Sequence, residues 1–151
     1  MSFIAAIRPD SWNLPLFLHV LGAMVLVGGL VAGAGSLAYA RGDVRLLRLG
    51  YWSLLAVSLP GWVLMRIGAE WIYSKEDWDE VPDEPDWLAT GAAIGDVGGL
   101  ILAVSLIAGG VGVYQMREGR GSGLLRVTLV LSLILLAAYV VAIWAMTGKP
   151  D

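Results

Sequence analysis

The chain contains no cysteine and a single histidine, and lysine and arginine together supply only 10 of its 151 residues. Without cysteine there is no disulfide, no thiolate metal site and no thiol nucleophile. One histidine cannot form the histidine pair of a helix-borne metal motif. No nucleophile elbow or phosphate loop appears either, so no catalytic residue set is predicted and the chain reads as non-enzymatic. The net charge is −3, and the basic residues gather on no extended face. Nucleic acid is therefore not an expected partner. Charged residues make up 15% of the sequence, where a soluble domain carries about a quarter.

What fills the chain instead is apolar. Hydrophobic residues account for 58% and mean hydropathy is +0.74. They fall in four blocks, at about 14–40, 49–73, 87–116 and 124–146. Each reaches the roughly 20 residues of helix that cross a hydrocarbon layer. Continuous runs of this kind exclude a β-barrel, whose strands are short and alternating. The expected fold is all-α, one membrane four-helix bundle over 1–151 in contact with the lipid bilayer.

Loop charge gives the orientation. Arg41, Arg45 and Arg48 lie between the first two spans, and Arg117, Arg120 and Arg126 between the last two. The middle loop instead carries Glu76, Asp77, Asp79, Glu80, Asp83, Glu84 and Asp86 against Lys75. Basic loops stay on the cytoplasmic side, which places the acidic loop and both termini outside. Trp12, Trp71, Trp78, Trp87 and Trp144 mark the outer interface, and Tyr39, Tyr51, Trp52 and Tyr114 the inner one. Ala38-Tyr39-Ala40 has the form of a signal-peptidase site, but the apolar run before it is too long for a signal peptide. It is read as part of a span.

Twenty glycines point to close helix packing. Gly29 and Gly33 on the first span, and Gly91, Gly95 and Gly99 on the third, follow the small-residue spacing that brings membrane helices together. Spans one and three are expected at the interior, or at an interface with a second copy or with other membrane helices. Pro60-Gly61 predicts a kink in the second span. The two hairpins also resemble each other: Leu46-Leu47-Arg48 opens the second span as Leu124-Leu125-Arg126 opens the fourth. A 2+2 hairpin repeat would be parallel, with its axis along the membrane normal.

Ionisable groups inside a span are costly and mark function. Four lie in the outer half: His19, Arg66, Glu70 and Asp96. Arg66 and Glu70 stand four apart and can pair along one helix. Together the four suit a proton, a cation or a small ligand; separately, each can be a satisfied polar group or an interfacial salt bridge. Thr128, Ser132 and Tyr139 share a face of the fourth span. The acidic loop lacks the glycine and ligand spacing of an EF-hand and reads as a solvated turn.

Leu18-His19-Val20-Leu21-Gly22, followed by Gly28-Gly29, resembles the opening helix of a group of bacterial four-helix membrane proteins. That group includes the copper-resistance D-type proteins and the haem-binding HemJ-type protoporphyrinogen oxidases. Leu59-Pro60-Gly61-Trp62 resembles its uncharacterised branch. The resemblance implies a haem b axial ligand at His19. Bis-histidine ligation by one chain is impossible here, which leaves Met24, Met65 or Met146 as a sixth ligand. Leu26 and Val27 replace the aromatic residue usual before the glycine pair, and no lysine lies within a span.

Three functions follow. The first is a transport, channel or sensing protein that needs no cofactor and has a polar outer-leaflet site. The second is a haem-b redox protein using His19. The third is an accessory or assembly subunit that binds other membrane helices through its small-residue faces.

Overall fold

Asn13 opens the first helix with Pro15 in its first turn, where a missing N–H breaks no helical bond. In the computed structural model, which describes residues 11, 13–75 and 85–148, this helix is α1, Asn13–Tyr39. It is followed by α2 (Val44–Lys75), α3 (Asp86–Gln115) and α4 (Ser122–Gly148). All four are long and apolar enough to cross a membrane. The acidic stretch Glu76 to Glu84, with Trp78, and Trp12 near the start lie outside the described residues.

The turns at one end of the bundle are tight. After α1 the chain reverses through Arg41 (φ 42°) and Gly42 (φ 92°). Left-handed backbone suits the glycine, while the arginine takes it at a steric cost. Asp43 then accepts from the Arg45 N–H at 2.8 Å. This cap starts α2 at Val44, five residues before the apolar run that marked the second span at 49, so Arg45 and Arg48 are helical. The α3–α4 turn passes through a 3₁₀ turn at Met116–Glu118 and left-handed Gly119 and Gly121.

The expected irregularity in α2 is a wide turn just before Pro60. Leu54–Ser58 is π-helical, with the Leu59 N–H bonded to the Leu54 carbonyl. Proline has no N–H to give, and its ring presses on the carbonyl four residues back; the extra residue in the turn relieves this.

α1 packs along α2 and α3 along α4, so each hairpin is a tight unit. The hairpins meet mainly through α1 against α4, and α2 meets α3 over fewer residues. Within one copy, spans one and three lie no deeper than spans two and four. The most apolar windows of the four helices are 28%, 33%, 33% and 28% buried, so no helix is central. Leu26, Leu30, Leu54, Leu102 and Leu135, all fully buried, fill the core.

Glycine sets the α1–α2 distance. A side-chain carbon on Gly22 would overlap the Met65 backbone and stand 2.8 Å from the Gly61 carbonyl oxygen. One on Gly61 would stand 2.9 Å from the Leu26 Cα. Gly68 lies against the backbone of His19, and Gly29 against Ser58. The Ser58 hydroxyl donates a long 3.5 Å bond to the Leu26 carbonyl. In lipid such contact replaces the hydrophobic effect as the source of helix association. The α3–α4 seam adds hydroxyl bonds: Ser105 donates to the Thr128 carbonyl at 3.4 Å, and Thr128 to the Ser105 carbonyl at 3.3 Å.

Candidate functional site

The polar residues of interest stand toward the end of the bundle opposite the two tight turns. Arg66 projects from α2 toward α3, where Gly95 leaves room: a side-chain carbon there would sit 3.6 Å from Arg66 Nη1, in ordinary contact. Arg66 Nη2 donates to Glu70 Oε1 at 2.5 Å along its own helix and meets Asp96 Oδ1 on α3 at 2.8 Å. The Arg66 side chain is 23% exposed, while those of Glu70 and Asp96 are 64% and 63% exposed. One cation thus holds two anions, and the group carries a net charge of −1.

One turn closer to the centre, Trp62 reinforces the same junction. Its indole Nε1 donates to the Gly95 carbonyl at 2.9 Å, and its ring lies on Gly99. Gly99 therefore admits the Trp62 ring onto α3, and Gly95 supplies the carbonyl that anchors it. Gly91 instead faces α4, under the Met146 methyl. Replacing Trp62 by Phe keeps a ring on Gly99 but deletes this bond. Chemical unfolding in detergent is expected to show a loss of about 1–2 kcal/mol, against no change for Trp52→Phe, whose side chain is exposed.

His19 does not join the group. Its Nδ1 lies 3.0 Å from the Met65 carbonyl oxygen, at the α1–α2 seam. A carbonyl only accepts, so Nδ1 carries a proton and, in the neutral ring, Nε2 holds the lone pair. Met65 and Arg66 are successive residues and so point about 100° apart on α2, one toward α1 and the other toward α3. Among the described residues no three His, Asp or Glu side chains are placed to hold a metal ion.

A haem on His19 could not lie within the α1–α2 seam. His19 sits where Gly22 and Gly68 bring two backbones into contact, which leaves no slot for a porphyrin between α1 and α2. Met24 turns out of the bundle at 68% exposure, Met65 is buried in the core, and Met146 lies over Gly91 on the α3–α4 side.

Tyr139, Thr128 and Ser132 were grouped in the sequence only as one face of the fourth span. All three are buried. Ser132 donates to the Thr128 carbonyl at 2.8 Å, and the Tyr139 hydroxyl abuts Gly98. No protein-family model, curated protein or solved structure matches the chain.

Proposed function

We propose that the chain is a cation-responsive membrane protein, of the sensing or transport kind, whose Arg66–Glu70–Asp96 group faces the outer side. One observation carries this reading: a single guanidinium holds a carboxylate from each hairpin, at the junction where α2 and α3 meet over few other residues. A cation competing with Arg66 for Asp96, whether a metal ion or a proton, removes an attraction between the hairpins. The net negative charge of the group and the acidic sequence beside it concentrate cations there. The bistable element is the pair of hairpins, each tightly packed within itself. A repeated hairpin belongs to this reading, because like units with one contact face are suited to rocking.

Orientation follows from the arginine loops. Because the chain has no cysteine, single introduced cysteines report without background. In intact cells an impermeant maleimide is expected to label Ser74→Cys and leave Ser122→Cys unmodified; the reverse pattern turns the site toward the cytosol. The response itself is read by spin labels at Ser74→Cys and Thr90→Cys in nanodiscs. Calcium, or acid, is expected to lengthen the distance in the parent and not in Asp96→Asn. A distance that neither probe moves rejects the cation reading.

A further inference from the structure

The Tyr139 hydroxyl is the buried side-chain polar atom that has no hydrogen-bond partner among the described residues. The residue is 4% exposed, and the hydroxyl is wedged against Gly98 so closely that a side-chain carbon there would overlap it. The oxygen itself has no accessible surface. Phenylalanine would fill the same volume without stranding a hydroxyl, so the oxygen is costly in this arrangement and unused by it.

Its position gives the cost a direction. Gly98 and Gly95 lie on one buried face of α3, about one turn apart. A side-chain carbon on Gly95 would touch the Arg66 guanidinium, 3.6 Å from Nη1, and Asp96 is the next residue on α3. The stranded hydroxyl therefore lies just beneath the bridge that ties the hairpins together. The two carboxylates of that bridge are exposed. If α3 moves away from α2, the Trp62–Gly95 bond is lost and the junction opens toward the phenol, one turn along α3.

We propose that Tyr139 is a built-in bias toward a second, open arrangement of the hairpins, in which its hydroxyl is hydrated. It is stranded when the Arg66–Asp96 bridge is closed and satisfied when the bridge is broken. The closed state is thereby held close enough to the open one for a cation to shift the balance. This inference rests on the two-hairpin reading above but not on which cation acts.

Tyr139→Phe tests it in the full-length chain in nanodiscs, with the Ser74→Cys and Thr90→Cys labels and Asp96→Asn present to weaken the bridge. The long-distance population is expected to fall about 5- to 30-fold, and the thermal unfolding temperature to rise. An unchanged or larger long-distance population overturns the proposal. So does the lack of any such population before the substitution, or a lower unfolding temperature after it. A higher unfolding temperature with unchanged distances also overturns it, because the hydroxyl is then only a packing defect. If Tyr139→Phe acts as expected but calcium and acid leave the parent unmoved, the cation reading falls and the bias stands.

Discussion

Gly22→Leu is expected to abolish the folded bundle, while Gly28→Leu, six residues further on the same helix, is expected to be harmless. A side-chain carbon at Gly22 meets backbone atoms of Met65 and Gly61, whereas one at Gly28 meets nothing within 4 Å. Backbone cannot swing aside as a flexible side chain can, so α1 and α2 must separate. Overpacking costs about 1–3 kcal/mol where side chains can adjust; here the upper end of that range is the starting point. Separation also breaks the neighbouring contacts at Gly61, Gly68 and Gly29, and with them the His19–Met65 bond. Thermal unfolding in detergent separates the two variants. Equal stability would mean that the α1–α2 seam is not formed by glycine contact.

Arg66→Ala is expected to part the hairpins at the end that carries the charged group. It leaves Glu70 and Asp96 as neighbouring anions with no shared counter-ion. Both carboxylates are well exposed, so the loss of stability is modest, about 1 kcal/mol. The geometric effect is the larger one, because few other contacts hold α2 to α3 there. Arg66→Lys should recover only part of the effect. An ammonium supplies one compact charge where the guanidinium spreads donors over a fork.

Length and composition made the four helices legible. The first span, read as 14–40, is helix from Asn13 to Tyr39, and the fourth, read as 124–146, runs from Ser122 to Gly148. The second start was missed because hydropathy ignores capping: Asp43 begins the helix among arginines that an apolar run leaves out. The Arg66–Glu70 pair was legible, since four residues along one helix are always neighbours. Asp96 as its third member was not, because that depends on the register between two hairpins, which no local spacing contains. His19 shares the depth of the group; its direction on α1 takes it to the Met65 carbonyl, on the α1 side of α2, while Arg66 points toward α3.

The glycines show the same limit in a cleaner form. Residues four apart advance about 40° around a helix at each step, whereas residues seven apart drift only about 20°. The row Gly91, Gly95, Gly99 therefore winds from α4 to α2, with Met146 over its first member and Trp62 over its last. It does not form one packing face. Gly22 with Gly29, and Gly61 with Gly68, are seven apart and stay on the α1–α2 seam. Gly29 and Gly33, four apart, also stay on that seam, against Ser58 and Leu54.

The bridge between hairpins is tested most directly by exchanging its charges. The distance between labels at Ser74→Cys and Thr90→Cys would be measured in nanodiscs for Arg66→Asp, for Asp96→Arg and for the double exchange. Each single change places like charges across the α2–α3 junction and should lengthen the distance. The double exchange again gives one arginine between two carboxylates and should return it to the parent value. A double exchange as long as either single change, or single changes that do not lengthen the distance at all, would contradict a bundle whose halves are joined through Arg66.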